Sequence, residues 1–143
     1  MTVSTILAGK GRGVVSIEPN ARLASAVETL AEKRIGAVVV LGAGHRIAGI
    51  LSERDIVRAL AERGTDALAE PVSRIMTRKV FTCSESETVA SVMERMSDGK
   101  FRHMPVVDQG QVVGIVSIGD VVKHRLHAME RDSAAMRDYI LTA

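Results

Sequence analysis

Two stretches of the chain carry the same polar pattern behind an apolar run: Gly49-Ile50-Leu51-Ser52-Glu53-Arg54-Asp55 and Gly114-Ile115-Val116-Ser117-Ile118-Gly119-Asp120. A Ser followed three residues later by an acid, where a helical pattern begins, resembles a capping box, in which both side chains satisfy amides that the first helical turn leaves without partners. The same arrangement suits a ligand. Free amides and the positive end of a helix dipole favour a phosphate, and an Asp one turn inside can accept from the two hydroxyls of a ribose. The two roles are compatible, and the residues alone leave both open.

Other chemically suggestive residues carry less. Gly9-Lys10-Gly11-Arg12-Gly13 precedes the first strand instead of following one, so it fits neither a Rossmann turn nor a P-loop; it reads as a flexible arm able to lie over a cleft. His124 and His127 stand three apart on a predicted helix without a third ligand near them in sequence, which favours exposed helix histidines over a metal site. Cys83 has no activating partner in sequence and reads as a small buried apolar residue of a strand. No set of nucleophile, base and orienting group emerges, and the expectation is a protein that is not an enzyme.

The elements that position the two Ser-x-x-Asp patterns form an internal repeat. An offset of 66 residues lays Leu23, Ala26, Val27 and Leu30 over Val89, Val92, Met93 and Met96, both sets with the spacing of an amphipathic helix. The same offset places Val14, Ala24, Ser25, Glu28 and Val40 on identical residues. One deletion later, an offset of 65 places Gly49, Ile50, Ser52, Asp55 and Val57 on Gly114, Ile115, Ser117, Asp120 and Val122. Ten ordered identities with a single gap indicate two copies of one unit.

Each copy reads as βαββα. In the first, Val14–Ile17 is a strand, 22–33 a helix after the Pro19-Asn20 turn, 37–41 and 47–51 a hairpin about Gly42-Ala43-Gly44-His45, and 53–63 a helix that stops at Gly64. The second copy predicts strand 80–83, helix 87–98, strand 104–107, strand 112–116 and helix 118–128, with Pro105 pointing to an edge position or a strand start. The division is an N-terminal arm at 1–13, repeats at 14–66 and 72–128, and a C-terminal helical extension at 129–143. A unit of this size cannot bury its apolar helix faces alone, so the copies are expected to pair about a pseudo-twofold axis into one core with two related clefts. Fold class is α/β (α+β).

Composition narrows the function classes. The 143 residues are 46% hydrophobic but only 2% aromatic, and this argues against the stacking platform that single-stranded nucleic acid needs. A net charge of +2 with interleaved signs gives no basic run. A single cysteine fits a reducing compartment, and no apolar stretch has the length of a membrane span or the pattern of a signal peptide. The expectation is a soluble, cytoplasmic protein with neither nucleic acid nor membrane as partner.

The paired Gly49-Ile50-Leu51-Ser52-x-x-Asp55 and Gly114-Ile115-Val116-Ser117-x-x-Asp120, with Met104-Pro105-Val106-Val107-Asp108, resemble the cystathionine β-synthase (CBS) domain family, whose members occur as tandem pairs called Bateman modules. The first copy departs from the pattern at Ala37-Val38-Val39-Val40-Leu41, which lacks the Pro and the Asp. The resemblance implies that each cleft takes an adenosine-containing ligand: AMP or another adenine nucleotide, S-adenosylmethionine, or NAD(H). One cleft would use Val14, Val15, Ser16, Ile35, Gly36, Ala37 and Val38 with Ser117 and Asp120. The other would use Lys79, Val80, Phe81, Thr82, Phe101, Arg102, His103 and Met104 with Ser52, Arg54 and Asp55. Arg54, Arg102 and His103 concentrate cations on this second cleft, and the forked guanidinium matches phosphate oxygens.

The function expected is a non-catalytic regulatory module that reports adenine-nucleotide (AMP or ATP) or redox-cofactor (NAD(H)) levels to an unidentified partner. The alternative is a structural or dimerisation module with vestigial clefts, whose Ser-x-x-Asp patterns are only caps. The C-terminal segment carries Met129, Met136, Ile140 and Leu141 amid charges, which predicts a further amphipathic helix covering an apolar surface, within the chain or on a second subunit. With the disc-like dimers common in the family, it leads to the expectation of a homodimer.

Overall fold

The computed structural model describes residues 1–142. In chain order the elements are α1 (Val3–Lys10), β1 (Ser16–Ile17), α2 (Leu23–Lys33), β2 (Ala37–Leu41), β3 (Ile47–Ser52), α3 (Glu53–Arg63), α4 (Val89–Gly99), β4 (His103–Asp108), β5 (Gln111–Ser117) and α5 (Ile118–Thr142). Parallel β1–β2 and antiparallel β2–β3 make a three-stranded sheet, and antiparallel β4–β5 a second sheet. The repeat reaches into detail. Both hairpins carry a register shift at the same place, Val40/Leu41 and Val106/Val107, and α2 and α4 both end on a left-handed residue, Arg34 and Lys100.

The shared core expected from sequence is instead two cores, one per repeat. Leu23, Ala26, Leu30, Val38, Val40, Leu51 and Ile56 lie in the first; Val89, Val92, Met96, Met104, Val106, Val116 and Val121 take the corresponding places in the second. Each core is closed by a segment that precedes the other repeat. Ala67, Val72 and Met76, from the connection, complete the first core; Val3, Ile6 and Leu7, from α1, complete the second.

The hydrogen bonds that tie the start of each strap to the helix beside it correspond in pairs. Leu23 N donates to Glu70 O (2.9 Å) and Val72 N to Ala21 O (2.8 Å); Val89 N donates to Met1 O (3.1 Å) and Val3 N to Glu87 O (2.9 Å). Glycine permits the close approach on both sides. A Cβ on Gly49 would lie 2.7 Å from Met76 Sδ and 2.8 Å from the Thr77 carbonyl, and one on Gly114 would lie 2.7 Å from Leu7 Cδ2.

Three sequence expectations change. The N-terminal arm at 1–13 is, over Val3–Lys10, a helix with Val3, Ile6 and Leu7 buried. The strand expected at 80–83 shrinks to a single bridge, Cys83 to Val106. In the first repeat Val39 N donates to Val15 O (3.4 Å); its counterpart is Pro105, which has no N–H to give. Finally, the C-terminal extension at 129–143 is no separate helix: over the described residues α5 runs on without a break to Thr142 and covers no apolar surface of this chain.

Because each strap belongs covalently to one repeat and energetically to the other, the chain should unfold in one cooperative transition. A fragment of residues 1–68 lacks Val72 and Met76 and leaves α1 without its core, so its amide spectrum should show the narrow dispersion of an unfolded chain. Leu7→Ala, at a side chain with 0% exposure, should cost roughly 2–5 kcal/mol in denaturant unfolding while keeping a single transition. Two separated transitions would show the repeats to be independent.

Candidate ligand-binding site

Three segments meet between the repeats around a cavity of about 340 Å³, within the range of small-molecule sites. The start of α3 brings Ser52, Glu53, Arg54, Asp55 and Arg58. The end of the connecting strap brings Thr77, Lys79, Val80 and Phe81, and the turn from α4 into β4 brings Gly99, Lys100, Phe101, Arg102 and His103.

The start of α3 is a complete capping box. Asp55 Oδ2 accepts from Ser52 N (3.0 Å) and Ser52 Oγ (3.2 Å), and Asp55 N donates to Ser52 Oγ (3.3 Å). Asp55 Oδ1 accepts from Thr77 Oγ1 at 3.0 Å, so the strap that closes the core also meets the cap. A carboxylate offers about four acceptor positions. Three are used here, which leaves room on Oδ1 for one further donor instead of the ribose pair expected from sequence.

Across the cavity Phe81 and Phe101 stack with ring centroids 4.9 Å apart and planes 2° from parallel. Lys79 Nζ lies 5.5 Å from the Phe81 centroid. Gly99 makes room for this pair, since a Cβ there would fall 2.4 Å from Phe101 Cε1. The result is a flat apolar wall facing the polar start of α3. Arg54 and Arg102 are exposed cations at this site. His103 is not a cation of the kind expected. Burial pushes its imidazole below the ordinary histidine value and the nearby Lys10 ammonium adds to this, against the opposing pull of Glu53 and Asp120.

Nine residues assigned to this cleft from sequence line the cavity: Ser52, Arg54, Asp55, Lys79, Val80, Phe81, Phe101, Arg102 and His103. Two do not. Met104 is wholly buried in the second core, because alternation along β4 turns it inward. Thr82 lies outside the lining, and its carbonyl accepts from Arg95 Nη2 at 2.9 Å. Sequence reasoning missed Thr77, Glu53, Arg58 and Lys100. Arg58 stands one helical turn from Arg54 and was findable by that spacing; Thr77 is delivered by the strap, for which no local pattern exists.

The other cleft is built differently. Ser117 and Asp120 repeat the cap, with Asp120 Oδ2 accepting from Ser117 N (2.9 Å) and Asp120 N donating to Ser117 Oγ (3.1 Å). Here, however, Lys10 at the end of α1 donates to Asp120 Oδ2 (2.7 Å) and to the Ile115 carbonyl (2.9 Å). Of the residues assigned to this cleft, Ala37 and Val38 are buried core, Val14, Val15 and Ile35 are half-buried, and Ser16 is exposed. Gly36 faces the second cleft instead, within 3.3 Å (from its Cβ position) of the His103 ring.

Partial burial raises the Asp120 carboxyl, but hydrogen bonds from Lys10 and Ser117 and the Lys10 charge more than offset it, so it sits below the ordinary carboxylate value. His103 and Asp120 thus both bind fewer protons folded than unfolded in their titration ranges. Their contribution to stability is present at neutral pH and is lost on acidification, first as His103 titrates below 6.5 and then as Asp120 does. Lys10→Ala should move both titrations upward, as followed by NMR of the imidazole and carboxyl carbons; the exposed ion pair itself should matter to stability by less than about 1 kcal/mol. Unmoved titrations would show that Lys10 does not reach the cleft in solution.

The CBS domain pattern matches this chain twice, at residues 11–62 and 72–127. Among solved structures, a CBS-domain containing protein from Agrobacterium tumefaciens is 44% identical, with TM-score 0.84 over 87% of this chain and 92% of that one. A CBS domain protein from Pyrobaculum aerophilum, complexed with AMP, is 31% identical, with TM-score 0.75 over 84% of this chain and 89% of its own. A mitochondrial CBS domain-containing protein of Arabidopsis thaliana is 30% identical over 97% of this chain and 71% of its own length. Two matched segments, the paired sheets and the exchanged straps together show that the chain belongs to the CBS domain family, as a tandem pair of its repeats.

Proposed function

We propose that this chain is a non-catalytic regulatory module that binds an adenosine-containing ligand, AMP foremost, in the cleft between the start of α3 and the Phe81–Phe101 wall, and signals occupancy to a regulated protein. The observation that carries the reading is the cavity itself: an apolar slot on one side and, opposite, Ser52, Arg54 and Asp55 at a helix N-terminus. The Pyrobaculum relative crystallised with AMP supports it, as does a 29% identical CBS domain pair in complex with 5′-methylthioadenosine and S-adenosyl-L-methionine. In this reading the base lies along the aromatic wall, the ribose takes the open acceptor position of Asp55, and Arg54 and Arg102 meet the phosphate. An anion there would also favour the protonated form of His103, so binding should take up a proton.

A non-catalytic role agrees with Cys83, the chain's single thiol, which burial pushes up to about 12 and which is therefore no activated nucleophile. The vestigial reading applies to the other cleft, where Lys10 already satisfies Asp120. We place the module in the cytoplasm, a reducing compartment that suits this thiol, although the Arabidopsis relative is mitochondrial. No helix among the described residues is long and apolar enough to cross a membrane. The proposal includes a homodimer, supported by the exposed Val57 and Val122 at equivalent places on α3 and α5.

Thermal unfolding with ligand titration tests the site. At 100 times its dissociation constant a ligand specific for the folded state stabilises by about 2.7 kcal/mol, which for a domain of this size raises Tm by roughly 5–15 °C. AMP should do so, with NADH as a second arm because it contains the AMP half, and adenine alone should do far less. Arg54→Ala should weaken AMP binding by roughly 10-fold or more without altering unliganded stability. Asp55→Ala should lower both, since it also removes the cap. An Asp55→Ala protein that loses stability but keeps AMP affinity would reduce Asp55 to a cap, and no Tm response to any arm would overturn the ligand reading.

A further inference from the structure

The outer half of α5 leaves the body as an unsupported helix. Residues 129–142 are exposed on every face, and Met129, Met136, Tyr139, Ile140 and Leu141 are 59% to 83% accessible. An isolated helix of this length is marginal in water, and one bearing large apolar side chains needs a partner. The inner half shows which way that partner lies. Val121, His124 and Ala128 are buried or half-buried and turn towards α1 and α4, whereas Val122 and Leu126 point outward.

The outward stripe has a heptad period. Val122, Leu126, Met129, Ser133, Met136 and Ile140 follow one another at spacings of 4, 3, 4, 3 and 4, the a/d seam of a left-handed coiled coil with Ser133 the one polar member. Leu141 lies off the seam. The flanking e and g positions then select the occupant and its direction. In a parallel, in-register pair, g of one helix faces e of the next heptad on the other, which sets Arg125 beside Glu130 of the partner subunit and Asp132 beside Arg137 of the partner subunit. Both pairings are attractive, and symmetry doubles them. The antiparallel alternative, with Leu126 opposite Met136 of the partner subunit, sets Lys123 beside Arg137 of the partner subunit and puts Glu130 and Asp132 each next to its own copy.

We infer that α5 is the dimerisation helix of this chain, pairing with α5 of a second copy as a parallel, in-register two-stranded coiled coil along Val122–Ile140. The inference rests on the homodimer proposed above and names its surface.

Sedimentation velocity and single-cysteine oxidation test it on the full chain, with Cys83 buried and out of reach. Leu126→Cys should oxidise to a covalent dimer, since parallel packing brings the two positions within the roughly 4.4–6.8 Å span of a disulfide. Antiparallel packing would separate them by on the order of 15 Å. Met136→Asp should shift the dimer to monomer. Glu130→Arg should raise the dimer dissociation constant by roughly 5- to 30-fold, and adding Arg125→Glu should restore it. A dimer indifferent to Met136→Asp, or one that cross-links only when Leu126→Cys is combined with Met136→Cys, overturns the parallel seam while leaving the homodimer standing. A monomer at micromolar concentration overturns both, and AMP binding by the same variants reports on the ligand site independently.

Discussion

Everything else in this structure depends on the exchange of two short apolar straps between the repeats. Each repeat, with a two- or three-stranded sheet and two helices, exposes an apolar groove beside its hairpin. The groove of the first is filled by Val72 and Met76, that of the second by Val3 and Leu7. Since neither strap is adjacent to its own repeat's core, closing either groove ties the two halves together. The tie requires glycine at 49, where the Thr77 carbonyl lies closer than any Cβ allows, and glycine at 114 makes room for the Leu7 side chain.

The cleft is a consequence of that exchange. The first strap ends in Thr77, which bonds Asp55, and continues directly into Lys79, Val80 and Phe81. The residues facing the start of α3 are thus held by the same segment that seals the first core. Helix capping and ligand contact are not rivals in such a place. Ser52 and Asp55 satisfy the first turn of α3, and Asp55 and the neighbouring Arg54 also line the cavity. The second strap produces the opposite result on the other side. There α1 ends in Lys10, whose ammonium occupies Asp120, so nearly identical Ser-x-x-Asp patterns acquire different chemistry from the residue that a strap delivers.

Small asymmetries in sequence have legible physical effects. Pro105, replacing Val39 of the first repeat, removes one amide and with it the second rung of a parallel ladder. The 80–83 segment is left as an irregular edge, which turns Phe81 outward onto Phe101 instead of into a sheet. His103 stands where the first repeat has Ala37, packed against Gly36, and its burial makes it a weaker base and a poor cation.

The sequence by itself determined the repeat, the βαββα order, the inward faces of α2 and α4 and both caps, because each of these is written in local periodicity or in a motif that occurs twice; most residues lining the second cleft were reached only through the family resemblance. It also placed Met104 and Val38 in clefts, where alternation along a strand sends them into cores. Only the tertiary structure decided which segment closes which core, that Thr77 meets Asp55 and Lys10 meets Asp120, and that α5 runs on into solvent with one face uncovered. Those contacts join residues 22 and 110 positions apart, and no local pattern encodes them: they are set by which apolar groove a strap fills, a property of two packed surfaces and not of either stretch of chain alone.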